Sequence, residues 1–133
     1  MRKRSTNIIV LFFVLLIVFS LFGYNAFADK AFEKAIDAKL NSIVYTKDPK
    51  VISSSNPYDY IKGPDSSKDY NYIVSQGEKS LNYLLKKFAT SNSNGLKKYI
   101  MAIACSEILK EDPDSKNWGS GEEWYINYLE QKK

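Results

Sequence analysis

Histidine is absent from this chain, and cysteine occurs only once, at Cys105, among 133 residues. Without an imidazole the chain cannot form a Ser-His-Asp triad or a Cys-His pair, because histidine is the base in both. A structural zinc site needs four cysteine or histidine ligands, so it is excluded as well. We therefore predict a non-enzymatic protein with no catalytic residue, no cofactor and no metal ligand.

Arginine is absent beyond position 4, and the basic character is confined to the N-terminus. Without residues 2–4 the chain contains 16 lysines and 15 acidic residues, so the remainder is nearly neutral. Nucleic-acid binding needs a cationic surface, and arginine is the residue that grips phosphate with two parallel hydrogen bonds. The composition therefore does not favour nucleic acid as a partner.

Glycine and proline are also few, at six and four residues, which excludes a collagen-like or low-complexity chain. A length of 133 residues allows one domain. Since a lone cysteine forms no intrachain disulfide, that domain must be held together by its apolar core.

A hydrophobic run near the N-terminus is the strongest signal in the sequence. Basic residues at positions 2–4 precede an uncharged stretch over residues 5–28, within which residues 8–22 are apolar except for Ser20. This order is typical of a signal peptide. Ala26 and Ala28 are small residues at the two positions that a signal peptidase must accept. We predict that residues 1–28 are a signal peptide and that residues 29–133 form the exported domain.

An uncleaved membrane anchor is the alternative for the same segment. The 24 uncharged residues are enough to span a bilayer with some tilt. In either case the basic residues stay inside and the body lies outside, by the positive-inside rule. We expect a protein that is secreted or held on the extracellular face of the membrane, and membrane contact only through residues 8–22 if they are not removed.

Apolar residues recur at helical spacing throughout the body of the chain. This periodicity predicts helices over residues 30–44, 66–77, 78–88, 96–110 and 120–129, with a short helical turn over residues 56–62. The helix over residues 96–110 is the most apolar, so we expect it at the centre, with Cys105 as a small hydrophobic residue of the core. The prediction is an all-α fold, a small irregular helical bundle or a HEAT-like helical domain, preceded by the N-terminal hydrophobic helix.

The residues at which one predicted helix ends and the next begins resemble those of known proteins. Residues 72–85, Tyr-Ile-Val-Ser-Gln-Gly-Glu-Lys-Ser-Leu-Asn-Tyr-Leu-Leu, resemble the turn between paired helices in HEAT-like repeats. Residues 56–128, including Trp118-Gly-Ser-Gly-Glu-Glu-Trp124, resemble small exported proteins of low-GC Gram-positive bacteria that have no assigned activity. The resemblance implies a binding surface, because HEAT-like helix pairs generally serve as platforms, and it implies no active site.

Acidic residues near the C-terminus have the spacing of a calcium-binding loop. Asp112, Asp114 and Glu123 occupy positions one, three and twelve of such a loop. However, Lys116 at position five would place an ammonium in the cation site, and Asn117 replaces the glycine needed at position six. Helix capping explains the acidic residues better, because carboxylates favour helix N-termini and Glu123 forms a capping box with Ser120.

Aromatic residues with polar tips are dense in the body of the chain. Residues 29–133 hold nine of the ten tyrosines and both tryptophans. Such side chains anchor protein interfaces and stack on sugar rings, although they can also close the rim of a small core. We select Tyr58, Tyr70, Trp118 and Tyr125 as candidate partner-binding residues.

These observations favour an exported, non-enzymatic helical binding module at the cell envelope. We expect its partner to be a protein, with wall glycan as the alternative ligand. A second hypothesis is a membrane-tethered inhibitor or immunity-type protein held by residues 8–22. A wall-active enzyme, with Glu122 and Glu123 or Asp65 and Asp69 as its carboxylate pair, is the least favoured.

Overall fold

The computed structural model describes residues 2–93 and 95–133, with side chains described from residue 7 onward. Within these ranges every regular element is helical and no strand occurs, which confirms the predicted all-α fold. The α-helices are α1 (Arg2–Val44), α2 (Pro49–Ile52), α3 (Pro64–Ser75), α4 (Glu78–Thr90), α5 (Gly95–Ile108) and α6 (Gly121–Gln131). Two short 3-10 turns occupy Pro57–Ile61 and Pro113–Ser115. The chain divides into two units, of which the first ends at Ala35 and the second is Ile36–Lys133.

The first unit consists of the N-terminal part of α1. Its large apolar side chains between Ile8 and Phe27 are all exposed. By length and composition this helix can serve as a signal sequence or a membrane anchor. The prediction of a separate helix from residue 30 is wrong, because α1 continues without a break through Gly23 to Val44. A single glycine costs a helix only about 1 kcal/mol, and its neighbours are compatible with helix.

The second unit is built around α5. Six consecutive residues of this helix, Ile100–Cys105, are buried, and α3, α4, α6 and the first 3-10 turn all contact it. Ile36, Leu40 and Ile43 of α1 are also fully buried, as their spacing predicts. The expectations of a central α5 and of a core position for Cys105 are therefore confirmed.

Charged side chains hold the C-terminal part of α1 to its neighbours in the second unit. Lys39 forms an ion pair with Asp69 of α3 at 2.8 Å. Asp37 accepts a hydrogen bond from the Tyr83 hydroxyl of α4 at 2.8 Å, and Lys87 of the same helix lies 2.7 Å from the Asp37 carboxylate. Because these groups are only partly exposed, salt screens the two ion pairs less than it screens fully exposed pairs.

Three Asx-Pro pairs begin the short helical segments. Asp48, Asn56 and Asp112 each precede a proline, and each accepts a hydrogen bond from the amide two residues on. The turn after Asn56 is as predicted. Helix α2 was not predicted, although Asp48-Pro49 carries the same signal, since proline is favoured at the first helical position and Asp caps it.

The boundaries of α3 differ from the prediction at its N-terminus. The prediction placed the start of this helix at residue 66, but α3 begins at Pro64 with Gly63 at the cap position. Proline has its φ already set for the first turn, so the helix starts earlier and Ser66 is buried within it. At the other end, Gly77 has a positive φ of 56°, but its ψ of −130° lies outside the left-handed helical region.

Helix α5 ends two residues earlier than predicted. Lys110 has a φ of 56°, which is unusual for a residue other than glycine. The Lys110 amide donates to Glu107 O at 3.1 Å and the Glu111 amide donates to Ser106 O at 3.0 Å. This pair of bonds is a Schellman motif, which satisfies the last carbonyls of α5 and turns the chain away from the helix axis.

One of the two hydrogen bonds predicted for the cap of α6 is present. Ser120 Oγ accepts a hydrogen bond from the Glu123 amide at 3.1 Å, as in a capping box. The Glu123 carboxylate, however, accepts from the Gly119 amide at 2.7 Å and not from the Ser120 amide. Both carboxylates that define the ends of the calcium-loop pattern, Asp112 and Glu123, therefore serve as caps.

Helix α6 approaches α5 closely at its first residue. A Cβ atom added to Gly121 would lie 2.3 Å from both the carbonyl carbon and the carbonyl oxygen of Lys98. These are backbone atoms of α5 and cannot rotate away. Only glycine allows the two helices to meet at this distance.

We predict that Gly121→Ala destabilises the second unit by about 1–3 kcal/mol, because the methyl group must push α6 away from α5. Urea unfolding followed by circular dichroism measures this change. Gly119→Ala is the matched control, since its Cβ would meet only the flexible Glu123 carboxylate at 3.7 Å. Equal stability of the two variants would contradict the close contact.

Candidate functional site

An open cavity of about 940 Å³ lies on one side of α5 in the second unit. Its walls come from the turn Pro57–Ile61, α3, α5, the connection between α5 and α6, and α6. This volume is in the range of small-ligand and side-chain pockets. Five aromatic residues line it, together with both acidic and basic side chains; the aromatic residues are Tyr58, Tyr70, Trp118, Trp124 and Tyr128.

Tyr70 lies where α3 meets α5. It is only 5% exposed, and its hydroxyl donates a hydrogen bond to Glu107 Oε2 at 2.5 Å. Burial raises the pKa of the Tyr70 phenol well above its usual range, and the hydrogen bond and negative charge of Glu107 act in the same direction. The phenol therefore stays neutral at physiological pH and ties α3 to the C-terminal half of α5.

Trp124 makes the corresponding connection from α6. Its ring is almost completely buried, and its indole N–H donates to Glu111 Oε2 at 3.1 Å. The ring also stacks on Tyr128 of the same helix, with centroids 5.5 Å apart. Two carboxylates near the end of α5, Glu107 and Glu111, thus anchor the two aromatic walls of the cavity.

A cluster of three rings surrounds the ammonium of Lys116, and we name it the ammonium cage: Tyr58, Tyr99 and Trp118. Lys116 Nζ lies 4.4 Å from the Trp118 ring centroid, 4.7 Å from that of Tyr99 and 5.4 Å from that of Tyr58. The ammonium also donates a short hydrogen bond to the Tyr99 hydroxyl. The distances to Trp118 and Tyr58 are within the range of favourable cation–π attraction, whereas the contact with Tyr99 is made through its hydroxyl. The cage opens onto the cavity, since Tyr58, Trp118 and Lys116 also line it.

The rings of the cage support one another. Tyr58 and Tyr99 meet edge to face at 6.4 Å, and Tyr99 and Trp118 lie 5.1 Å apart with an interplanar angle of 57°. Such arrangements are favourable because the positive edge of one ring meets the negative face of the next. The cage is therefore a built structure, in which the ring positions do not depend on Lys116 alone.

The structure brings together three of the four predicted partner-binding residues. Tyr58, Tyr70 and Trp118 line the same cavity, although Tyr70 is buried and hydrogen-bonded at its base. Tyr125 lies elsewhere, where its ring stacks on Phe88 of α4 with centroids 5.1 Å apart. Tyr99 was not among the predicted residues, and no local pattern marks it.

Cys105 does not contribute to this site. Its side chain is fully buried, and burial raises the pKa of the thiol far above its usual range, with the charge of Glu111 adding to the shift. A thiolate is needed for nucleophilic attack or metal binding. The residue therefore acts as a small hydrophobic side chain of α5.

No family model matches this chain, and neither a curated protein nor a solved structure matches it. The likeness to HEAT-like helix pairs and to small exported proteins stays a prediction from the residues quoted above. The function is therefore inferred from the geometry of the cavity and from the N-terminal segment.

The raised pKa of Tyr70 predicts alkaline sensitivity. Above about pH 10 an unfolded tyrosine loses its proton while the folded Tyr70 keeps it. The folded state then binds more protons than the unfolded state, so stability falls with rising pH by up to about 1.4 kcal/mol per unit. Tyr70→Phe should lower that slope, at a cost of about 1 kcal/mol at neutral pH for the lost hydrogen bond.

Urea unfolding between pH 8 and pH 11 measures the slope for both proteins. Tyr45→Phe, at an exposed tyrosine, tests whether loss of any phenol has the same effect. A slope unchanged by Tyr70→Phe would show that the buried phenol is not responsible.

Proposed function

We propose that this chain is an exported, non-enzymatic binding module that recognises a protein partner at the cell envelope. The observation that carries the proposal is the open cavity, in which Tyr58, Tyr70 and Trp118 meet beside charged side chains. Aromatic residues in a concave, partly apolar site are typical of the central contacts of protein interfaces.

The N-terminal segment supports the export part of the proposal. Between Ile8 and Phe22 each large apolar side chain is exposed. Exposed apolar surface of this extent needs a membrane or an export machinery to cover it. The basic residues at positions 2–4 favour an orientation with the second unit outside.

The polar groups of the cavity support binding over catalysis. Glu107 accepts from Tyr70, Glu111 accepts from Trp124, and Lys116 is held by three rings. Each of these groups already has a partner that fixes its position. Preorganised polar groups in an aromatic cavity provide orientation and specificity for a bound side chain.

A membrane-tethered inhibitor or immunity-type protein is the second candidate. The observation that favours it is the unbroken course of α1 through Ala28, where cleavage is predicted. Residues 8–27 are uncharged, and 20 helical residues measure about 30 Å, which is the thickness of the hydrocarbon core. In this case the same cavity would act at the outer face of the membrane.

Intact mass spectrometry of the full chain, expressed in a Gram-positive host and fractionated, separates the two candidates. If the segment is a signal peptide, the medium contains a product that begins at Asp29. If it is an anchor, the membrane fraction contains the full-length chain. Full-length protein in the cytosol would contradict both candidates.

Cross-linking in intact cells tests the cavity as the binding surface. We predict that Trp118→Ala or Tyr58→Ala reduces the yield of the cross-linked protein partner at least about tenfold, because interface aromatic anchors each contribute about 2 kcal/mol or more. Helix content by circular dichroism should change little. Tyr45→Ala, at an exposed ring outside the cavity, is the control. Capture of wall glycan in place of a protein would support the alternative ligand, and unchanged capture by both cavity variants would reject the surface.

A further inference from the structure

We propose that the ammonium cage of Tyr58, Tyr99 and Trp118 is the docking point for a lysine side chain of the protein partner, and that Lys116 fills the cage until the partner displaces it. This inference rests on the proposed function and deepens it, because it names the chemical group that is recognised.

The first step is that the cage selects a cation. Its three rings come from three separate segments, the turn Pro57–Ile61, α5 and the connection after α5, and all converge on one ammonium nitrogen. Lys116 is exposed, and no ion pair with it occurs among the residues that the structure describes. The attraction of the Trp118 and Tyr58 rings and the hydrogen bond to Tyr99, without an ion pair to a carboxylate, therefore hold the charge in place.

The second step is that the cage favours a primary ammonium. Tyr99 Oη accepts a hydrogen bond from Lys116 Nζ, in addition to the attraction of the Trp118 and Tyr58 rings. A quaternary ammonium has no N–H to donate, so it would leave this hydroxyl without its bond. Among protein side chains, lysine carries a compact ammonium with three donors on a long flexible stem.

The third step concerns the charge of the adjoining cavity. The charged residues that line it are three acidic residues, Glu107, Glu111 and Asp112, and two lysines, Lys110 and Lys116. When the ammonium of Lys116 is removed by substitution, one lysine remains against three carboxylates. The cavity is then negative, which attracts an incoming cation.

The fourth step is that Lys116 competes with the partner. It lies only two residues from Trp118 and follows the three-residue turn Pro113–Ser115, whose residues are exposed. A group tethered so closely acts at an effective concentration of roughly millimolar or more. Its departure exposes no apolar core, so removal of the ammonium should strengthen binding of an external lysine.

The experiment uses the full chain in detergent micelles, labelled with 5-fluorotryptophan, which gives one fluorine resonance for each of the two tryptophans. The probe is Nα-acetyl-lysine methylamide, and Nα-acetyl-norleucine methylamide is its uncharged control. We predict that in Lys116→Ala the lysine probe shifts the Trp118 resonance saturably, with an affinity at least about fivefold higher than in the unmodified protein. The norleucine probe should give no such shift.

Two further variants test the specificity of the site. Lys110→Gly removes the other lysine of the cavity wall, at a position whose positive φ suits glycine. This variant should not bind the lysine probe more tightly than the unmodified protein does. Tyr99→Phe, combined with Lys116→Ala, keeps the ring but removes the hydroxyl. This double variant should bind the lysine probe severalfold more weakly, and its affinity for tetramethylammonium should not change.

Several results would overturn the proposal. These are no gain in Lys116→Ala, an equal response to the lysine and norleucine probes, or tighter binding of tetramethylammonium than of the lysine probe in Lys116→Ala. If Lys116→Ala loses helix signal, Lys116→Gln keeps most of the stem and must give the same gain. Probe binding in the purified chain does not depend on partner capture in cells. If the purified chain binds the lysine probe but no protein is captured in cells, the proposed function is rejected and the lysine-binding site stands.

Discussion

The burial of α5 is the constraint on which the second unit depends. Its run of buried residues combines large side chains, such as Ile100 and Met101, with Ala102, Ala104 and Cys105. Large residues fill the space between helices, while small ones let neighbouring helices come close. The helix therefore accepts packing on several sides at once, and α3, α4 and α6 each take one of them. At Gly121 the approach is so close that only a residue without a side chain fits.

The cavity follows from how α5 ends. The Schellman motif at Lys110 turns the chain out of the helix and leaves Glu107 and Glu111 beside the neighbouring elements. Each carboxylate accepts a hydrogen bond from a buried aromatic residue, Tyr70 of α3 or Trp124 of α6. Because a buried N–H or O–H is costly without a partner, these bonds fix both aromatic walls. The space between them stays open.

The connection between α5 and α6 supplies both the third ring of the ammonium cage and the cation that fills it. Trp118 and Lys116 are two residues apart, whereas Tyr58 and Tyr99 come from distant parts of the chain. Because Lys116 occupies the ammonium cage, a weak ligand cannot bind there. Only a ligand that competes with this tethered lysine can bind.

Local chemistry made the helices predictable. Apolar spacing, Asx-Pro pairs, and the Ser120–Glu123 cap act within four residues, so the sequence alone determines the all-α class, the central role of α5 and most helix boundaries. The errors arose where two local signals competed, as at Gly63-Pro64-Asp65, where proline began the helix before the serines, or where a signal was weak, as at Gly23 in α1.

The composition of the site needed the tertiary structure. Tyr58 and Trp118 were predicted as binding residues from their chemistry, yet nothing local to Tyr99 distinguishes it from the other tyrosines. The packing of α6 directs Tyr125 to Phe88, away from the cavity, and the packing of α3 buries Tyr70. The sequence determined which side chains were able to bind, because that depends on their own chemistry. Only the fold decided which of them meet, because the rings at positions 58, 99 and 118 come together where the turn Pro57–Ile61 and the connection between α5 and α6 pack beside α5, and not through their spacing along the chain.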